Sequence, residues 1–169
     1  MGHYIHIVIL ESVMVIKAPQ PFKKDRPAVF LAGSIEMGVA DNWQVRAEGA
    51  LNDFLVLNPR RDDWDSSWVQ SKDNSQFREQ VEWELTAMDI ADVILLHFER
   101  GTMSPISLLE LGLYARHPGL IVHCPEGFWR KGNVDIVCDR YGIDQPGTMD
   151  EAIVAALYRL RLITATTHK

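Results

Sequence analysis

Cysteine is scarce: only Cys124 and Cys138 occur in 169 residues, and no CxxC pair exists. That excludes a disulfide framework and fits a reducing, cytoplasmic setting. With His123 the two thiols match no usual zinc-ligand spacing, so neither a metal nor a cofactor is expected. No apolar run is long enough to cross a bilayer, so no membrane partner is expected either. The first residues hold no basic n-region and no small-residue cleavage site, which predicts no secretion signal. Gly2 is followed by His6, where a myristoylation motif needs Ser or Thr. The glycines spell neither GxGxxG nor a Walker loop, and GxSxG and HExxH are also missing. Basic residues are outnumbered, 17 Lys and Arg against 23 Asp and Glu, for a net charge of -6. A nucleic-acid polymer is therefore not the expected partner, although local arginines leave room for a small anion.

What is present reads as one globular domain. The hydrophobic fraction of 47% and the charged fraction of 24% are ordinary for a protein with a real core. Residues 4–16 are β-branched and apolar apart from Glu11 and Ser12, and predict one strand or a short hairpin. Residues 17–27 hold Pro19, Pro21, Pro27 and five charges, a linker composition. Residues 1–26 thus form an extension and 27–165 the main domain. From Pro27 onward strands and helices alternate. Strands are expected at 28–32, 55–57, 92–98 and 120–123. Helices are expected from Asp41 to about Phe54, from Ser75 to Ala91, from Ser104 to about 117, near 134–140 and over 149–163. Short apolar strands alternating with helices mean an α/β fold with a parallel sheet covered on both faces. Such sheets bind ligands beyond the carboxyl ends of their strands. The loops at 33–35, 58–74, 99–104 and 124–133 are selected by that rule.

Two carboxylates interrupt apolar stripes. Glu110 lies four residues after Ile106 and three before Leu113, within Ser104–Leu113. Glu84 shares a stripe with Phe77, Val81 and Met88, whereas Glu82 falls well round the helix, toward solvent. A buried carboxylate is costly to ionise and needs a partner or a task. Two of them flanking one strand suit a glycosidic bond, one attacking the anomeric carbon and the other orienting the sugar or handling protons. Pairing with arginine or capping of backbone groups would equally explain each one.

Three further features frame this pair. Asn58-Pro59-Arg60-Arg61-Asp62-Asp63-Trp64-Asp65 starts where a strand ends. An aromatic ring can stack on a base, Asn or Asp can bond its edge, and Arg can hold phosphate or carboxylate. A solvated loop plugged by Trp64 or Trp68 is the plainer alternative. Gly33-Ser34-Ile35 offers backbone N–H groups and a hydroxyl to an anion or sugar, or is simply a tight turn that needs glycine. Ser104 and Pro105 suit the N-cap and first turn of a helix. His97, near the end of its strand, reads as structural.

Phe30-Leu31-Ala32-Gly33-Ser34-Ile35, Trp83-Glu84, Ala91-Asp92-Val93-Ile94-Leu95, Ser104-Pro105 and Glu110-Leu111-Gly112 together resemble the nucleoside 2-deoxyribosyltransferase-like superfamily, over about residues 28–140. Asn58-Pro59-Arg60-Arg61 with Trp64 looks like one branch of it. The resemblance implies a flavodoxin-like parallel sheet and cleavage of the N-glycosidic bond of a nucleoside or nucleotide. It implies that Glu110 is the nucleophile, forming a glycosyl ester at C1′, and that Glu84 holds the sugar at a position where the family usually has Asp. Asp63 and Asp65 become candidates for contact with the base. Phe30 stands where transferases often place a Tyr. Gly33-Ser34-Ile35 and Ser104 are closer to the related 2′-deoxynucleoside 5′-phosphate N-hydrolases. Sugar transfer to another base, nucleotide hydrolysis and a non-catalytic nucleotide sensor all stay open. The family also implies homo-oligomers with sites near subunit interfaces, with Asn133 near where a donated residue would arise.

Overall fold

The computed structural model describes residues 15–34 and 42–167. Five strands form one parallel sheet: β1 (Val15–Lys17), β2 (Ala28–Gly33), β3 (Leu55–Asn58), β4 (Val93–His97) and β5 (Leu120–His123). Their spatial order is β1-β3-β2-β4-β5, a flavodoxin-like arrangement. The helices are α1 (Trp43–Ala50), α2 (Ser75–Ile90), α3 (Pro105–Tyr114), α4 (Lys131–Tyr141) and α5 (Met149–Thr167).

The strands carry unbroken apolar runs because both faces of the sheet are covered. Ala28, Val29, Phe30, Leu31 and Ala32 are all fully buried, and alternate residues enter two separate cores. Phe30, Ile94, Leu96 and Val122 pack with Trp83, Ala87 and Met88 of α2, Leu111 of α3 and Val134 and Cys138 of α4. Val29, Leu31, Val93, Leu95 and Ile121 pack with Trp43 and Ala47 of α1 and with Ala152, Ala156 and Leu160 of α5. Each large side chain buried this way contributes about 1.5–3 kcal/mol, enough to fix the strand register without polar side chains.

The N-terminal extension joins the sheet as an edge strand, with Val15 to Lys17 parallel to Val56 to Asn58. The predicted strand at 4–16 otherwise lies outside the described residues, as do Ile35 and Asp41. The stretch read as a linker is packed down. Gln20 accepts a 2.8 Å hydrogen bond from the Trp83 indole, and the Phe22 ring meets that indole edge-on at 5.3 Å. Lys24 bonds the Asp92 carboxylate at 2.7 Å, and the other oxygen of that group accepts from the Ala28 amide.

Four helices differ from their expected spans. The first ends at Ala50 instead of near Phe54, α3 ends at Tyr114 instead of about 117, α5 runs on to Thr167 instead of 163, and α4 starts at Lys131, three residues early, so Asn133 lies on its first turn. The helix α2 begins where expected, because the Asn74 side chain accepts from the Phe77 amide.

The site is positioned by the junction of β2 and β4. Gly33 has φ +134° and pairs with His97, whose backbone occupies the space a Cβ would need. Only glycine allows that approach. Gly33→Ala is expected to destabilise the fold by on the order of 2–4 kcal/mol, read as a lower midpoint in urea unfolding.

Candidate functional site

The strand order reverses about β2, with β3 on one side and β4 on the other. The crevice beyond the carboxyl ends of β2 and β4 is the place where such sheets take ligands. Three hydroxyls meet there. Ser34 follows β2, and its amide donates to the His97 carbonyl at 3.0 Å. Its Oγ is hydrogen-bonded to Ser104 and lies 3.3 Å from Thr102 Oγ1, while Thr102 and Ser104 are 2.6 Å apart. The Glu99 amide also donates to Ser34 Oγ. All three hydroxyl residues are buried.

Ser104 does not cap α3 in the expected way. It sits at the N-cap position with φ 43° and ψ 52°, and its side chain makes no cap hydrogen bond. The hydroxyl is turned instead into the cluster with Ser34 and Thr102. A non-glycine residue in the left-handed region is strained, and such strain gathers at ligand-holding turns.

Six residues further along, Glu110 stands at the edge between two faces of α3. Ser107 and Leu111 are buried against the sheet, whereas Ile106, Leu109 and Leu113 are 57–60% exposed. The stripe that carries Glu110 is therefore apolar but largely uncovered, not core-facing as its composition implied. Glu110 itself is half-buried, as is Glu84 on α2. Burial first, and then the charge of Glu84, push the Glu110 carboxyl up to about 8. Burial also raises Glu84, partly opposed by the hydrogen bond it accepts from Gln80 at 2.8 Å. The two carboxylates thus share one environment, and no arginine neutralises either of them among the described residues. Glu82 points to solvent and pairs with Arg78.

The loop after β3 is fastened to the same helix. Gln80 Nε2 also donates to the Pro59 carbonyl at 2.7 Å, so one amide ties the loop to Glu84. Asn58 is buried and bonded internally: its amide donates to Glu48, and its oxygen accepts from the Arg60 amide. The Arg61 guanidinium, only 7% exposed, bonds Asp63 and Glu79 and lies 4.9 Å from the Trp68 ring centre. A cation desolvated that far needs such partners, so Arg61 braces the loop. Those hydrogen bonds hold Arg61 more firmly protonated and keep Asp63 ionised. Asp65 accepts from the Ser67 amide in a local turn. Trp64 is 41% exposed and meets Trp68 at 5.2 Å, leaving one ring face open for stacking. Arg60 is half-buried, and its guanidinium makes no ion pair among the described residues.

Residues 26–128 match the family model for nucleoside 2-deoxyribosyltransferase-like proteins. The chain belongs to this family. No curated protein matches the chain. The match spans strands β2 to β5, the Gly33-Ser34 turn, the loop after β3 and both half-buried glutamates.

Within that family frame, the geometry groups some of the expected residues and separates others. Ser34 and Ser104 are brought into contact, and Glu84 is electrostatically coupled to Glu110. Asn133 is exposed on α4, with no bond to this group among the described residues. Ile35 lies outside the described residues. Gln80, Glu99 and Thr102 were not singled out from the sequence. The Gln80–Glu84 spacing of one helical turn is a readable signal for the first, whereas Glu99 and Thr102 are joined to Ser34 only by the fold. Cys124 and Cys138 are buried, with thiols pushed up to about 11 and about 12. No cluster of three metal-ligating side chains occurs among the described residues, and no helix among them is long and apolar enough to cross a membrane.

The raised carboxyl of Glu110 has a consequence for stability. Its ordinary value is 4.5, so the folded chain holds this proton up to about pH 8 while the unfolded chain releases it near 4.5. Stability therefore falls as pH rises between those values. Glu110→Gln removes the liability. It is expected to stabilise the protein at pH 8 by on the order of 1–3 kcal/mol, with no gain below about pH 4.5, read as the difference in thermal midpoint across pH.

Proposed function

We propose that the protein cleaves the N-glycosidic bond of a nucleoside or deoxynucleoside through a covalent glycosyl ester on Glu110, then transfers the sugar to a second base. The observation that carries this reading is the coupled, half-buried pair of Glu84 and Glu110, without a neutralising arginine among the described residues, beside the crevice. A structural carboxylate is normally ion-paired or well solvated; these two are partly desolvated and have no ion pair among the described residues, and Gln80 bonds Glu84. An oxocarbenium-like centre at C1′ is the kind of positive charge such a pair stabilises.

In the first step a Glu110 oxygen bonds C1′ as the C1′–N bond breaks, and the base leaves with the bonding electrons and takes up a proton. In the second, a nitrogen of the incoming base bonds C1′ and releases the carboxylate. Glu110 must be ionised to attack, although burial opposes that. Sugar hydroxyls donating to Glu84 would dilute its charge and let Glu110 lose its proton in the complex. Trp64 is the ring available to the base, with Arg60 four residues before it in the same loop.

A second reading, hydrolysis of a nucleoside 5′-monophosphate with water as the acceptor, is favoured by the buried hydroxyls of Ser34, Thr102 and Ser104 at the start of α3. Hydroxyls and helix N-terminal amides suit a phosphate. The two reactions share the first step and differ in the acceptor.

Incubation with deoxynucleosides and their monophosphates, with and without a second base, tests both. A new nucleoside marks transfer, and free base with free sugar marks hydrolysis. Intact-mass analysis should show a sugar adduct lost in Glu110→Ala, with turnover falling by on the order of a thousandfold or more. Full turnover in that variant would sink the assignment, and tight binding with neither turnover nor adduct would mark a sensor. Ser104→Ala should raise KM for a monophosphate about tenfold or more while leaving the free nucleoside unaffected. The ligand-free chain should show a kcat/KM that rises with pH toward a limb near 8, and Glu84→Gln should move that limb lower by removing the neighbouring charge.

We further propose that a second copy of the chain covers the open face of α3. Ile106, Leu109 and Leu113 are exposed on the helix that carries Glu110, and Met103 is exposed just before it, its carbonyl bonded by the Trp129 indole at 3.1 Å. A helix apolar on opposite faces is normally buried on both. Leu109→Glu with Leu113→Glu should give a monomer by light scattering where the parent is a dimer or larger.

A further inference from the structure

On the other face of the sheet, at the carboxyl ends of β4 and β5, lies a cleft of about 180 Å³ that the reaction above does not use. His97 and His123 sit side by side on these strands, paired in register. Their rings are stacked with centres 4.9 Å apart and nearly parallel, and the two Nδ1 atoms are 2.8 Å apart. Trp43 and Met149 wall the cleft, and Arg46 and Arg100 line it.

Hydrogen bonds fix the position of its floor. His97 Nε2 lies 3.1 Å from Glu99 Oε2. His123 makes a hydrogen bond to the backbone of Gly147, whose carbonyl can only accept. Burial first, then the neighbouring His97, lower His123 to about 4, so protonation of that ring is resisted. Glu99 also lines the cleft, with its carboxylate turned to His97, and Arg46 and Arg100 are the cationic side chains at its rim. Arg46 reaches only the exposed Asp150 at 3.3 Å, and both side chains stay at least half exposed. Arg100 makes no ion pair among the described residues. In a chain of net charge -6, two arginines thus converge on one walled cavity that also holds the Glu99 side chain.

We propose that this cleft is a second binding site, for a small oxyanion of the phosphate or carboxylate class, with Arg46 and Arg100 as its charged contacts and the His97–His123 pair as its floor. Guanidinium forks match the paired oxygens of both anions. Trp43 and Met149 shield one side and strengthen the attraction relative to open water. The site is independent of the glycosidic reading, since Glu84 and Glu110 belong to helices on the opposite face.

The test is a titration of the full chain, labelled at histidine, with inorganic phosphate, acetate and chloride at constant ionic strength, followed by the imidazole resonances. Saturable shifts of His97 and His123 with phosphate or acetate but not chloride are expected, the responding anion naming the class. Affinity should fall at least tenfold in both Arg46→Ala and Arg100→Ala, which alter exposed side chains and should keep the parent circular dichroism. It should persist in Ser104→Ala, which separates this site from the hydroxyl cluster. Absence of saturable shifts, an equal response to chloride, or parent-like affinity in the two arginine variants would overturn the proposal. The readout needs no nucleoside and no turnover, so failure of the glycosidic reading leaves it standing.

Discussion

The contact between the ends of β2 and β4 is the constraint on which both clefts depend. Gly33 lets its backbone lie against that of His97, and the next amide, of Ser34, bonds the His97 carbonyl. The close approach places the Ser34 hydroxyl under the Glu99 amide and against Thr102 and Ser104. It also holds His97 beside His123 on the opposite side. One strand, β4, thus serves two layers: its preceding residues alternate between the two cores, and its end directs groups to both. A side chain at position 33 would separate the strands and loosen both arrangements.

The glutamate pair is the costly feature of the fold. Neither carboxylate gains an arginine among the described residues, and each is half-buried, so each is pushed toward its protonated form. By contrast Arg61, also desolvated, is given two carboxylates and a ring. The chain therefore neutralises the desolvated charge of Arg61 and leaves Glu84 and Glu110 without a counter-ion among the described residues. Strongly perturbed groups of this kind concentrate at functional sites. Gln80, which bonds both Pro59 and Glu84, couples the loop after β3 to the pair, so the position of the exposed Trp64 and that of Glu84 are not independent.

Much of this was legible before folding. Glu84 stood out because it interrupts Phe77, Val81 and Met88, and it is half-buried as that stripe predicts. Glu110 stood out for the same reason, but its stripe is exposed, because composition cannot tell an apolar face turned to the core from one turned outward. The sequence offers Asn58 and Arg61 as ligand contacts, and in the fold both also make internal bonds. Local sequence shows what a side chain can bond, not which bonds are already taken. Asn133 was placed in a loop, and it lies on the first turn of α4, since helix ends are set by capping and packing as much as by composition.

The sequence by itself determined the alternation of strands and helices, the doubly covered parallel sheet and the short motifs that mark the family. These follow from the period and length of apolar runs, which are properties of neighbours along the chain. Only the tertiary structure decided that Thr102 and Glu99 join Ser34, that Gln80 bridges a loop to Glu84, and that two histidines 26 residues apart meet through their Nδ1 atoms in a cleft lined by two arginines. Those partners meet through strand register and the crossing of layers. Pairing across a sheet depends on burial summed over the whole core, and no local pattern records it.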